Sequence, residues 1–411
     1  MCVRYNQLIV WRASTVKNIN ILNKNSNFNI LLAGIIGLFI GVGVARFSYT
    51  SLLPSMLEDD TLTLTFAGVL ASVNYVGYLS GALFAIFIKD LNSKVKYYRI
   101  GLVLCVITTV ILGITTNETL WLISRVIAGF GAAMSLVVGG AIVMVKLDFK
   151  DKTKAMGINF SGIAIALALS DVIARSTLYF SSWHMSWIVL SIIAAVVVLY
   201  PLYILSSDDV KVNKNSAKDL DKNLFSGFVV VLILAYFTAG VGMVIQGTFL
   251  PTIIKSLPGL ESIAGLTWLI VGLAGIPSSI IWMRMAHKHG SVNIIIIAMV
   301  LQTIGILIPT MTNSIYLNLL SGVLYGGTFV GLVALFMHLG GKLAGNNPVI
   351  LMGTLTTAYG IGQVSAPLYA VALTEYSGDY NYALYVTASI MCLGVLMLMA
   401  TKIFKISHHS R

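Results

Sequence analysis

Apolar residues run along this chain in long unbroken stretches, not in short alternations. Twelve stretches stand out, at 29–53, 64–88, 97–116, 119–146, 154–179, 183–205, 224–252, 262–284, 291–311, 314–340, 347–374 and 380–405. A helix needs about 20 apolar residues to cross the hydrocarbon layer of a bilayer, and every stretch is long enough. The pattern predicts an all-α membrane protein with twelve transmembrane helices. Barrel strands would appear instead as roughly ten-residue segments of alternating polarity. Polar breaks divide the chain into a tail (1–28), a six-helix unit (29–205), a linker (206–223) with four Lys and four Asp, a second six-helix unit (224–405) and a short tail (406–411).

Composition removes the soluble alternatives. Of 411 residues, 57% are hydrophobic and only 10% charged, whereas soluble domains carry roughly 25% charge. A soluble enzyme, a disordered chain and a collagen are excluded. The net charge of +11 is unevenly placed: 22 of the 26 Lys and Arg lie in the tails and in the loops at one end of the alternating runs. The opposite end has only Lys255 against Glu58, Asp59, Asp60, Glu118, Glu261, Glu375 and Asp379. The positive-inside rule then predicts both termini in the cytoplasm of a plasma or inner membrane. The basic excess is a topology signal, and no nucleic-acid partner is expected. Cys2, Cys105 and Cys392 form neither a disulfide framework nor a metal spacing. No secretory leader is expected in the first 28 residues. No catalytic triad, Walker motif or metal cluster appears, so neither enzymatic activity nor a cofactor is expected.

The chain repeats itself. Displaced by 197 residues, Gly43-Val44-Ala45-Arg46 falls on Gly240-Val241-Gly242-Met243, Leu53-Pro54 on Leu250-Pro251, and Ala67-Gly68 on Ala264-Gly265. Ser124, Val126 and Gly129 fall on Ser321, Val323 and Gly326; after one residue of slippage Met156-Gly157 falls on Met352-Gly353. Repeated halves predict a substrate site near the midplane between them, reached by rocking of one half against the other.

This plan resembles the major facilitator superfamily. Arg125-Val-Ile-Ala-Gly129-Phe-Gly131-Ala132-Ala133 in run 4 is similar to that superfamily's R-x-x-x-G-x-G-A motif. Met283-Arg284-Met-Ala-His287-Lys288-His-Gly290 after run 8 is similar to its G-x-L-A-D-R-x-G loop, with His287 in the Asp position and Met283 in the first Gly position. The matching loop between runs 2 and 3 keeps Asp90 without the following Arg and Gly. Three further stretches resemble the YbfB/YjiJ branch: Gly43 to Pro54, Gly240 to Pro251, and Thr357-Ala-Tyr359-Gly-Ile-Gly-Gln363. The resemblance implies a secondary transporter working by alternating access, with Asp90, Arg284, Lys288 and Gly290 in gating loops. It implies no particular substrate.

Charges inside a bilayer are expensive and face partners or watery cavities. Four ionisable residues fall well inside the runs: Arg46, Arg125, Asp171 and Arg175. At 1.5 Å per residue, the first three sit at similar height in the half opposite the basic end. Asp171 and Arg175 are four residues apart on one helix and can pair; with Arg125 they form the expected charge network. Arg46 has the alternatives of binding an anionic group of the substrate or of pairing with Asp171 or a carbonyl to lock the bundle. Regular helical spacing puts Arg46, Tyr49, Thr50 and Leu53 on one face, and the equivalent face of the second half reads Met243, Gln246, Gly247 and Leu250. Asn74 and Tyr78 share a face, as do Tyr359 and Gln363, and Tyr325 lies in run 10. Arg46, Tyr49, Asn74, Tyr78, Gln246, Tyr325, Tyr359 and Gln363 are the candidate substrate site. Pro54, Pro251 and Pro367 are expected to end or kink their helices. Together they predict a carrier of a small organic anion, with protons or another gradient as the coupling source and a monomer as the working unit. The alternative is a proton-coupled exporter of cationic or amphipathic compounds that uses Asp171.

Overall fold

The computed structural model describes residues 23–24, 26–88, 90–147, 152–206, 226–343 and 348–403. The linker at 207–223, the C-terminal tail at 406–411 and nearly all of the N-terminal tail lie outside the described residues. Among the described residues twelve helical spans follow in order: α1 (Asn27–Glu58), α2 (Leu64–Phe87), α3 (Leu91–Ile114), α4 (Glu118–Lys146), α5 (Lys152–Phe180) and α6 (Trp183–Ile204); then α7 (Gly227–Lys255), α8 (Ala264–Gly275 with Ser278–His289), α9 (Ser291–Met311), α10 (Ile315–Leu343), α11 (Pro348–Ser377) and α12 (Asn381–Ile403). Ten are individually long and apolar enough to cross a membrane, and the bent α8 pair makes an eleventh. α11 is 30 residues long but carries Thr354, Thr356, Thr357, Tyr359, Gln363 and Ser365 along its middle.

Local chemistry sets the helix ends. Thr63, Asp90 and Asn117 each accept a hydrogen bond from the backbone N–H three residues on, satisfying one of the orphan donors of a helix start. Gly290, at φ +86°, ends the second segment of α8, a conformation that favours glycine.

The internal repeat is visible as paired contacts. The Thr50 hydroxyl donates to the Gly247 carbonyl at 2.6 Å, and these positions are 197 residues apart, so equivalent points of the halves meet. Gly129 lets α4 press on the Asn74 carbonyl of α2, and Gly326 lets α10 press on the Val271 carbonyl of α8. Each residue of the second contact is its counterpart in the first plus 197. Across the halves, Gly68 packs on Val371 and Gly265 on Arg175, again equivalent after the one-residue slip. α2 thus packs against α11 and α5 against α8, while α3, α6, α9 and α12 pack chiefly within their own halves.

Three features depart from regular helix. α1 winds as π-helix over Phe39–Phe47 and α4 over Met134–Val138. The Ser48 N–H and hydroxyl both reach the Gly43 carbonyl, five residues back. α8 bends by 45° at its break before Ser278, where Pro277 interrupts the ladder. By contrast, Pro54, Pro251 and Pro367 lie inside continuing helices.

Candidate functional site

A cavity of about 490 Å³ lies between the halves, lined by α1, α2, α4 and α5 on one side and α7, α10 and α11 on the other. Its wall reaches Ile86, Met144 and Met352, close to the helix ends on the basic side. Towards the acidic side it stops at Phe47, Met243 and Gln363. Phe47 is still about 17 Å short of Glu58 at helical rise. That remaining thickness is closed by contacts between the halves. Lys255 Nζ meets Glu58 Oε1 at 2.5 Å, the Thr65 hydroxyl donates to Glu375, and the Tyr75 and Thr248 hydroxyls lie 3.4 Å apart. The described lining therefore extends towards the basic ends of the helices and stops short of the acidic ends.

Arg46 stands at the blind end. It is 5% exposed, and its Nε and Nη2 are buried without a hydrogen-bond partner. Three rings surround the guanidinium carbon: Tyr78 at 4.3 Å, Tyr75 at 4.6 Å and Phe47 at 5.1 Å. Ring faces attract a cation but offer no acceptor to Nε and Nη2. The acid proposed as its partner is engaged elsewhere. Asp171, fully buried, accepts Arg175 Nε at 3.0 Å and Nη2 at 2.5 Å, together with the Ser51 hydroxyl at 2.8 Å.

Of the eight expected site residues, Arg46, Tyr78, Tyr359 and Gln363 line the cavity together. The other four are turned into helix packing. The Tyr49 hydroxyl donates to the Ala67 carbonyl, and its ring lies beneath Arg125 at 4.6 Å. Asn74 Nδ2 donates to the Arg125 carbonyl. Gln246 Nε2 binds the Gly305 carbonyl and the Ser321 hydroxyl, tying α7 to α9 and α10. The Tyr325 hydroxyl donates to the Met243 carbonyl. For Tyr49 the physical reason is the π-helical stretch, which ends at Phe47 and breaks the regular spacing that put Tyr49 on the face of Arg46.

Arg125 is likewise separate from Asp171 and Arg175. It donates to the Ala45 and Leu70 carbonyls, joining α4 to α1 and α2. Asp90 caps α3, and the Ser93 N–H and hydroxyl hold its carboxyl below the usual range. Among the described residues, no ion pair joins Asp90, Arg284 or Lys288 to the opposite half.

The sequence reading missed Tyr236, Phe329 and Met243 as wall residues. Tyr236 stacks on both Tyr359 and Phe336 at 4.4 Å. Met243 occupies the position equivalent to Arg46, and Gln363 Nε2 approaches its sulfur at 3.3 Å. The repeat register was the available signal for Met243.

Two six-helix halves around a one-sided central cavity define a major facilitator carrier. The fold matches the crystal structure of the nucleoside transporter NupG, studied as a point mutant, with a TM-score of 0.69 over 90% of this chain and 99% of that one at 16% identity. The chain belongs to the family described as uncharacterised MFS-type transporter YbfB, whose model matches residues 38–399. It is similar to the multidrug efflux pump SdrM of Staphylococcus aureus, at 27% identity over 190 residues, 44% of this chain and 41% of that protein. It is similar to a probable 4-methylmuconolactone transporter of Cupriavidus pinatubonensis, at 28% over 155 residues, 37% and 36% of the two chains. The matches thus span only about two fifths of these two relatives. Multidrug resistance protein 2 of Bacillus subtilis is 22% identical over 408 residues, 94% of this chain and 98% of that protein.

Proposed function

We propose that this carrier moves a small organic anion across the cell membrane by alternating access, as a monomer with both termini in the cytoplasm. The observation that carries the reading is Arg46, a buried cation with unpartnered nitrogens at the blind end of the cavity between the halves. A buried charge without a partner is costly, and an anionic group in the cavity would supply the missing acceptors. With the basic ends inward, the cavity faces the cytoplasm. The inside-negative potential favours anion exit by about 2.3 kcal/mol per charge per 100 mV, so export needs no coupling ion and uptake needs protons or another gradient.

A second reading is an exporter of cationic or amphipathic compounds. The apolar, methionine-bearing wall favours it, as do the relatives named for multidrug efflux and multidrug resistance. No carboxylate lines the described cavity to receive a cation. Ligand-induced thermal stabilisation separates the two, because a bound ligand stabilises the folded state by mass action. An organic anion that stabilises the parent and not Arg46→Gln supports the first reading. Cations that stabilise both proteins equally overturn it and make Asp171 the next residue to substitute.

A further inference from the structure

We infer that the anion is a lipophilic monocarboxylate with a flat unsaturated ring, its carboxylate at Arg46 and its ring on the aromatic wall of the second half. This rests on the anion reading above and narrows it.

The charge count comes first. Among the described residues, Arg46 is the only charged one lining the cavity. Asp171 and Arg175 lie outside the lining and neutralise each other. A dianion would have to carry its second charge into an apolar wall with no counter-ion, which is strongly disfavoured. A cation would meet Arg46 with like charge.

The geometry of the cation indicates carboxylate. Arg175 grips Asp171 through Nε and Nη2, the side edge of the guanidinium that matches two carboxylate oxygens. In Arg46 the same two nitrogens lack partners. Both are buried, and Tyr78, whose ring lies 4.3 Å from the guanidinium carbon, lines the cavity beside Arg46.

The rest of the wall has little to offer a polyhydroxylated body. Beside Arg46 its polar side chains are Asn159, Thr356, Gln363 and three tyrosines. What it does offer is ring surface. Phe336, Tyr236 and Tyr359 stack with centroids 4.4 Å apart and planes within 22°, and the column ends on Tyr359 at the cavity. Trp268, Tyr325 and Phe329 form a second column, with interplanar angles of 25° and 15°, which ends on Phe329 at the cavity. A flat ring in the cavity would extend either column. Aliphatic chains of the same charge gain burial there but no stacking.

The test is thermal unfolding of the purified full-length protein titrated with sodium benzoate, hexanoate, succinate or benzylamine chloride. Benzoate is expected to stabilise most, with an apparent Kd about two- to tenfold below that of hexanoate; succinate and benzylamine leave the protein unchanged. Tyr359→Leu should erase the preference for benzoate and keep the response to hexanoate, while Arg46→Gln removes both. If Tyr359→Leu fails to fold, Phe329→Leu makes the same comparison. Equal benzoate and hexanoate affinities in the parent overturn the ring assignment and leave the anion reading standing. Succinate binding tighter than benzoate overturns the single-charge assignment alone. Stabilisation by benzylamine in both parent and Arg46→Gln, with all anions inert, overturns the anion reading itself. No response to any anion does the same.

Discussion

Two buried arginines, on α1 and on α4, have opposite relations to their surroundings. Arg125 spends its donors on backbone carbonyls of two other helices, whereas Arg46 is boxed by rings with nitrogens left over. Removing Arg125 should therefore cost stability. Arg125→Met strips hydrogen bonds from the Ala45 and Leu70 carbonyls, a loss of about 1.5–3 kcal/mol for a charge-assisted bond, read as a lower melting temperature in detergent. Arg46→Met removes an uncompensated buried charge, so its melting temperature should equal or exceed that of the parent, with the response to anions gone. A large drop in melting temperature for Arg46→Met would make Arg46 structural. Sequence alone identified both arginines as intramembrane charges, because a charge in an apolar run is conspicuous. It set Arg46 in the substrate site and Arg125 in a charge network with Asp171 and Arg175, but not against carbonyls, since those that satisfy Arg125 come from residues 80 and 55 positions away and carry no side-chain signature.

Helix existence was legible because a membrane span is a composition, while helix winding was not. The π-helical stretch at Phe39–Phe47 faces the one at Met134–Val138, where the Ser135 hydroxyl donates to the Gly37 carbonyl at 2.6 Å and Gly41 packs directly on Ser135. Nothing in the apolar pattern marks this widening, and it displaces Tyr49 from the expected face. The small residues that set helix approach follow the repeat. Gly129 and Gly326 are equivalent, and a Cβ on either would run into a backbone carbonyl of the neighbouring helix. Gly129→Val and Gly326→Val should each destabilise by about 1–3 kcal/mol through overpacking, and to similar extents. Melting temperatures of the two variants check this. A large loss in one half with none in the other would mean that the two contacts are not equivalent.

At the scale of the whole molecule, the 197-residue repeat announced two halves and a site between them, because duplicated sequence leaves a register. It could not announce which face the cavity opens to, since that depends on which end of the pseudo-symmetric pair is latched. Here the latch is on the acidic side, where Glu58 of the first half meets Lys255 of the second. The pair is partly exposed, so it contributes at most about 1 kcal/mol, a factor of about five in the ratio of two conformations. Reversing one charge converts attraction to repulsion and should shift the population towards a cavity open on the acidic side. Met243, at the blind end of the cavity, reports this when replaced by cysteine in a background with Cys2, Cys105 and Cys392 changed to alanine. In the parent background, a membrane-impermeant maleimide should label the introduced thiol faster from the basic face of reconstituted vesicles. Glu58→Lys should raise labelling from the acidic face severalfold, and Glu58→Lys combined with Lys255→Glu should return it to the parental rate. The double reversal is decisive, because it restores attraction with both native residues absent. If it labels like the single variant, residue identity at the rim matters and the pair is not a latch. If Glu58→Lys changes nothing, closure of the acidic side is carried by the uncharged contacts between α1 and α7, with the Thr50–Gly247 bond at their centre.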